Sequence, residues 1–311
     1  MIRYLLLALV VGCTTSDLYA LEEVTSAEAV ACSGGWCDET VTGVSFLYSV
    51  WAVSPDDVFA VGAGGTILHR HDSTWTVMPS GGTTANLHAV WAASSTDAWA
   101  AGSGGVILRF DGTAWSSISS GMTWDINAMW GSSSTDVWFA GAAEMMHWDG
   151  AAFTAWPAGG TFLSVSGSGP LDVWVTGENT YLRHHTGTGS WATIKSTGTS
   201  TMSAVLAIAP NDLWASGPLI GKETMHSTDG GVSWTPYPAL SGGFTSMAAR
   251  ASNDIWAIGG RTVGEWTGSM WSDTQPFGST VSLQSVTTTP ITTAGHVWVV
   301  GGSGLIRHRV L

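Results

Sequence analysis

Along residues 87–119 apolar and polar positions alternate with a period of two, and short stretches rich in Gly, Ser, Thr and Asp interrupt the alternation. The segment divides into LHAVWAAS, the turn STD, AWAAG, a Gly-rich turn, GVILRF, the turn DGT and AWSSIS. A period of two places successive side chains on opposite faces of a strand, so the stretch predicts four short antiparallel strands, a to d. No helical periodicity is visible.

The same pattern recurs. Its marker is Asp-Val-Trp or a variant, at Asp57-Val58-Phe59, Asp97-Ala98-Trp99, Asp136-Val137-Trp138, Asp172-Val173-Trp174, Asp212-Leu213-Trp214 and Asp254-Ile255-Trp256. A seventh copy, His296-Val297-Trp298, lacks the acid; the spacings are 40, 39, 36, 40, 42 and 42 residues. Seven four-stranded units of this length predict an all-β, seven-bladed β-propeller. The seventh unit ends after GLIRHRVL without a strand d, whereas GGWCDETVTG (34–43) aligns with the strand d of other units. The N-terminal strand is therefore expected to complete the last blade, tie the ring shut and cover an unpaired sheet edge.

The segment before this strand reads as an address. Met1–Tyr4 is a short basic start, the apolar run LLLALVVG is too short to span a bilayer, and Cys13 follows. Val10-Val11-Gly12-Cys13 resembles a bacterial lipobox. That resemblance implies a signal peptide over 1–12 and lipidation of Cys13; the polar, acidic residues that follow read as a tether over 13–33, and the repeats put the propeller over 34–311. The lipobox resemblance also implies an outer-membrane lipoprotein on the periplasmic or the surface side; an ordinary secretion signal cut near Ala20 is the alternative. Cys32 and Cys37 then form an even pair in an exported chain, which predicts a disulfide.

Composition narrows the partners. Charged residues are 11% of the chain, Gly reaches 40 and Trp 19, and the net charge is −13. An acidic field repels phosphate backbones, which excludes nucleic acid as a natural ligand. No cofactor is expected, no spaced His cluster resembles a metal site, and the acidic turns leave weak calcium binding open.

Residues 226–236, HSTDGGVSWTP, match the Asp-box pattern through Ser227, Asp229, Gly231, Ser233 and Trp234. The chain resembles the Asp-box (bacterial neuraminidase repeat) propellers, including the photosystem II assembly-factor-like family, and shares the G-x-I-x-R and D-G-x-x-W elements of tectonin-type lectin repeats. The resemblance implies the propeller fold; one superfold hosts many functions, so it does not fix an activity. A sialidase-like or glycosidase hydrolase is the rival class. Against it, only Arg250 and Arg261 lie outside the strand-c pattern (Arg3 aside), too few for the arginine triad of sialidases, and the tyrosines form no motif.

Where the copies agree, the reading is structural. The tryptophans of strands b and d recur and are expected between blades. Trp51, Trp91 and Trp130 share a strand-a position that holds Ser166, Leu206, Ala248 and Thr287 elsewhere. Near the end of strand c a basic side chain recurs as His69, Arg109, His147, Arg183, His226 and His308, expected to bond the repeat Asp. Function is expected where the copies disagree. Trp124 and Trp156 in d–a links, and Glu144, Glu178, Lys222, Glu223 and Arg261 in b–c turns, are the candidate ligand-binding residues of one face. The expectation is a monomeric, non-catalytic binding or assembly scaffold for an envelope protein or surface carbohydrate, with lectin-type sugar binding as the alternative within that class.

Overall fold

The computed structural model describes residues 32–156, 160–178, 182–187, 191–194, 201–217, 223–240, 243–274, 281–290 and 295–311. They form a ring of seven antiparallel sheets, six of four strands and one of five. Blade 1 comprises strands Leu47–Ala52, Val58–Gly62, Ile67–His71 and Thr74–Val77. Blade 2 comprises Leu87–Ser94, Asp97–Gly102, Ile107–Phe110 and Trp115–Ser117, and the order a-b-c-d repeats around the ring. The strands a touch one another in sequence and surround the axis, and the last meets the first.

Apolar cores lie at the seven blade interfaces rather than at the axis. One packs Phe59, Val61 and Ile67 of blade 1 on Leu87, Val90, Ala98 and Leu108 of blade 2. Equivalent clusters fill the other six junctions among the described residues. Strand b makes this possible: its residues are apolar and buried in succession, so alternate side chains reach the neighbours on both faces of the sheet. The strand-b residues Trp99, Trp138, Trp174, Trp214, Trp256 and Trp298 are at most 1% exposed. Trp148 and Trp266, which share the strand-c position held by Phe110 in blade 2, also pack between blades, against Trp99 and Trp214.

Blades 1 to 5 are pinned by one recurring triad. The residue of strand c opposite the strand-b aromatic stacks on its ring and reaches the Asp that opens strand b. His147 stacks on Trp138 at 4.2 Å and lies 2.6 Å from Asp136. His184 stacks on Trp174 at 3.8 Å with Asp172 at 2.6 Å, and His226 on Trp214 at 4.1 Å with Asp212 at 2.8 Å. In blade 2 the Arg109 guanidinium lies 4.9 Å from the centre of the Trp99 ring and donates twice to Asp97, at 3.0 Å each. The repeat position in blade 4 belongs to His184, not to the Arg183 that sequence alignment selects, because Trp174 pairs with His184. Blade 6 places Glu265 opposite Trp256 and brings its cation from strand a, where Arg250 donates to Asp254 at 3.1 Å.

Blade 7 holds His296 where the others hold Asp, and the chain supplies the missing carboxylate from its other end. Trp36–Asp38 pairs with strand c of this blade in the register Trp36↔Arg309, Cys37↔His308, Asp38↔Arg307. Cys32–Ser33 adds a fifth strand through a hairpin over Gly34 and Gly35, and the disulfide Cys32–Cys37 joins directly opposed residues. Both glycines sit at positive φ, 59° and 81°, which a two-residue hairpin of this hand requires. The sheet thus reaches back to Cys32, two residues before the expected start.

Just beyond this strand, Glu39 joins three parts of the chain. Its carboxylate lies 2.9 Å from His308 of blade 7, which stacks on Trp298, and accepts from Arg70 at 3.1 Å and Trp75 at 2.8 Å, both of blade 1. Burial raises the Glu39 pKa, but the His308 hydrogen bond and the charges of His308 and Arg70 outweigh it and hold the group at about 2. Beside it, burial and then the His308 and Arg70 charges press His296 down to about 4.

These shifts make the seam acid-sensitive. Buried His296 refuses the proton that the unfolded chain accepts, so its contribution is complete above pH 6.5 and fades as pH falls towards 4. Glu39 contributes fully above its unfolded value of 4.5 and loses about 3 kcal/mol as pH falls to about 2. Urea unfolding followed by tryptophan fluorescence should show a midpoint that declines in both windows. Glu39→Gln should lower stability near neutrality by about 3 kcal/mol, since it leaves buried Arg70 only the longer pairing with exposed Asp56 at 3.9 Å, and should flatten the lower window. An unchanged midpoint in Glu39→Gln would mean that Glu39 does not hold the seam.

Candidate functional site

Two surfaces carry the features that the repeat does not explain: the axial channel and the face on which it opens beside the b–c turns. The channel has a volume of about 400 Å³ and is lined by strand a of every blade. Its lining is neutral and mixed: Tyr48, His88, Asn127, Thr245 and Gln284 contribute polar groups, Leu163 and Met247 apolar ones, and among the described residues no Asp, Glu, Lys or Arg lines it. The channel is therefore a place for hydrogen bonds and apolar contact rather than for ion pairing.

The wall is made by two alternative devices at one strand-a position. Where that position is Trp, the ring covers a small residue of the next blade: Trp51 Nε1 donates to the Ala92 carbonyl at 3.1 Å. A Cβ at Gly131 would sit 2.9 Å from the Trp91 ring, and one at Gly167 2.6 Å from the Trp130 ring. Where the position is Ser166 or Thr287, the hydroxyl instead accepts from the next blade, from Ala207 N at 3.0 Å and Ala52 N at 3.2 Å. Two residues earlier on strand a, Ser49, Ser164, Ser246 and Ser285 accept from Val90, Val205, Val286 and Val50 in the same direction around the ring. The arc of tryptophans noticed in the sequence is thus half of a blade-to-blade latch.

The mouth residues begin the strands a, at the end that follows the d–a links. Tyr48 and His88 pack edge to face at 5.3 Å, and His88 Nε2 lies 3.3 Å from the hydroxyl of Ser103 in a b–c turn. The mouth therefore opens on the b–c/d–a face. Asn127 donates to the Phe162 carbonyl at 2.8 Å, which spans blades 3 and 4.

The sequence-selected residues divide on this face. Glu144, Glu178, Glu223 and Arg261 all lie at b–c ends, of blades 3, 4, 5 and 6, with Glu144 half-buried and the other three exposed. Trp124 is half-buried, its ring against Gly141, and Trp156 ends strand d of blade 3, its ring 5.9 Å from Trp138 and 5.2 Å from His185. The indole nitrogens of both are shut from solvent. Both rings therefore sit in blade junctions. Lys222 and Cys13 lie outside the described residues. Sequence reasoning did not single out the mouth residues, because they differ in every blade and leave no recurring signal.

The opposite face carries the triads and the c–d turns. In blade 5 that turn is closed by Ser227, Asp229 and Ser233: Ser227 donates to Asp229 at 2.8 Å, Ser233 N to Asp229 at 2.9 Å, and Gly231 N to Ser227 at 2.8 Å. In blade 1 the same face holds Asp57, His69 and His71 together, with one ligand-type atom from each within 4.8 Å of the others.

No protein-family model matches the chain, and no curated protein does. Solved structures share its fold. It is similar to YCF48 bound to D1 peptide, with TM-score 0.72, 14% identity and coverage of 89% of this chain and 97% of that one. It is similar also to YCF48 from Cyanidioschyzon merolae, with TM-score 0.71, 16% identity and coverage of 88% and 98%. The WD40 β-propeller domain of Doa1 matches with TM-score 0.73, 14% identity and coverage of 86% and 94%. The chain is a seven-bladed β-propeller of four-stranded antiparallel blades.

The latch gives a direct test of the channel wall. Gly167→Ala should destabilise by about 1–3 kcal/mol through the clash with Trp130. The pair Gly167→Ala with Trp130→Ala should cost less than the sum of the two single changes, since each removes the other's opponent. Urea midpoints of the four proteins give the coupling, and strict additivity would mean that the two residues do not meet.

Proposed function

We propose that this ring is a non-catalytic binding platform that holds an extended, basic segment of an envelope protein over the mouth of its channel. The carrying observation is the mouth itself, where Tyr48, His88, Asn127, Thr245 and Gln284 offer neutral hydrogen-bonding groups at non-equivalent positions of a rigid ring. An extended polypeptide has unpaired N–H and C=O groups along its length and suits such a rim. Three consecutive blades carry Glu144, Glu178 and Glu223 around it, and Asp125 lies on the adjoining d–a link, so the arc favours a cationic segment. The net charge of −13 acts in the same sense over longer range. The likeness to YCF48 with a bound D1 peptide supports a peptide rather than a sugar as the ligand class.

We further read the chain as exported and held to the outer membrane through lipid on Cys13. The disulfide Cys32–Cys37 supports an oxidising compartment.

An array of extended peptides of graded charge, probed with the full chain beside a glycan array with and without calcium, tests the ligand class. Lys- and Arg-rich peptides should bind, and affinity should fall with rising salt. Replacing Glu144, Glu178 and Glu223 together by Gln should weaken binding about tenfold without changing the unfolding midpoint. Saturable sugar binding with silent peptides would overturn the proposal in favour of a lectin. Separately, Cys13→Ser should move the chain from the membrane to the soluble fraction of its native envelope; continued sedimentation with membranes would count against the lipid anchor.

A further inference from the structure

Blade 1 departs from the repeat at two linked places. Its strand-b aromatic is Phe59 instead of Trp, and strand c ends His69-Arg70-His71, placing a second imidazole two residues beyond the repeat position. Equivalent positions in blades 2 and 3 hold Asp111 and Asp149, whose carboxylates accept backbone N–H groups inside their own c–d turns. In blade 1 strands c and d are joined by Asp72 and Ser73, both at positive φ, 47° and 63°. This two-residue hairpin keeps His71 paired with Thr74 at the very end of the ladder and turns it towards the a–b turn.

Asp57 Oδ1 is thereby shared. His71 Nδ1 lies 3.1 Å from it and His69 Nε2 3.3 Å. In the other imidazole triads the ring nitrogen lies 2.6–2.8 Å from the carboxylate, whereas His69 Nε2, shielded from solvent, meets Asp57 only at 3.3 Å. His69 is held in place by Phe59, against which it stacks at 4.2 Å with the rings 2° from parallel. Asp57 Oδ2 is fixed by the Ser54 hydroxyl at 3.4 Å. On the outer side Asp72 lies 3.6 Å from His71 Nε2, the arrangement in which a carboxylate orients a metal-bound imidazole.

We propose that Asp57, His69 and His71 form a binding site for a divalent transition-metal ion of the zinc class. The donor set of two imidazoles and one carboxylate is that of zinc, nickel and copper rather than of calcium or magnesium. Metal–ligand bonds of about 2.0–2.1 Å in tetrahedral geometry put neighbouring ligand atoms about 3.3 Å apart. Two of the three edges, 3.3 Å and 3.1 Å, already have that length, and the third spans no more than 4.8 Å. His69 and Asp57 are mostly enclosed, whereas His71 is 62% exposed, so an ion reaches the site from solvent and water completes its shell. A bound ion would join the a–b turn of blade 1 to its c–d hairpin, on the same strand as the Arg70 that pairs with Glu39. The site lies on the face opposite the channel mouth, so its test is independent of the peptide proposal.

The experiment is a titration of the chelator-treated full chain with Zn²⁺ alone, followed by calorimetry and by the shift in unfolding temperature. The expected result is one ion per chain with micromolar affinity and a rise in unfolding temperature. His71→Ala, a surface change that leaves the His69 stack in place, should weaken binding at least tenfold and abolish the rise, and His71→Cys should restore it. Circular dichroism of the variants before the titration confirms that they are folded. The absence of saturation in the micromolar range, or one-to-one binding that His71→Ala leaves intact, overturns the proposal.

Discussion

A propeller is stable only as a closed ring, because each blade buries its apolar faces against two neighbours and an open ring leaves two of those faces wet. In this protein closure converges on one carboxylate. Glu39 accepts from Arg70 and Trp75 of blade 1 and meets His308 of blade 7, so three segments distant in sequence share it. The ladder from Trp36 to Asp38 brings the N-terminal strand into register, and the disulfide limits how far its hairpin can fray. These contacts place Glu39 where the seventh blade lacks its Asp. The loss of acid at His296 is therefore compensated rather than tolerated, and the repeat is completed by a residue outside it.

The triads explain why the marker Asp-x-Trp survives in a chain so poor in charge. A buried Trp supplies the interblade area, but a flat ring alone leaves the register of strand c against strand b loosely set. Stacking an imidazole or guanidinium on that ring and tying it to an Asp two residues upstream fixes both position and orientation. Blade 6 instead pairs its Asp254 with Arg250 of strand a, and blade 7 supplies Glu39 from the other end of the chain. What recurs is an ion pair at this turn, not the residue that provides it.

That distinction marks what was legible in the sequence. Blade number, strand order and closure followed from period-two alternation and from the Asp-x-Trp spacing, because backbone pairing obeys those signals directly. The shared position of Trp51, Trp91, Trp130, Ser166, Leu206, Ala248 and Thr287 was readable for the same reason, and the register confirms it. Arg183 was chosen over His184 because two basic residues stand side by side, and only strand pairing decides which faces Trp174. The complement of the arc, Gly131 and Gly167 under Trp91 and Trp130, crosses from one blade to the next and leaves no local trace. The closeness of His71 to Asp57 was invisible because alignment by repeat assigns its position to a turn.

The two faces consequently follow different rules. On the side of the a–b and c–d turns, side chains serve the triads, and a departure such as His71 creates something only by adding to a pair already in place. On the side of the channel mouth, the strands a begin with residues that answer to no pairing rule, and Tyr48, His88, Asn127, Leu163 and Gln284 vary freely on a fixed frame. Structural symmetry around the axis is thus what permits chemical asymmetry at its end: seven equivalent backbones hold seven different side chains at set distances. Under the proposed function, a frame closed on all sides orders little on binding, which lowers the entropic cost for a flexible partner that must itself become extended.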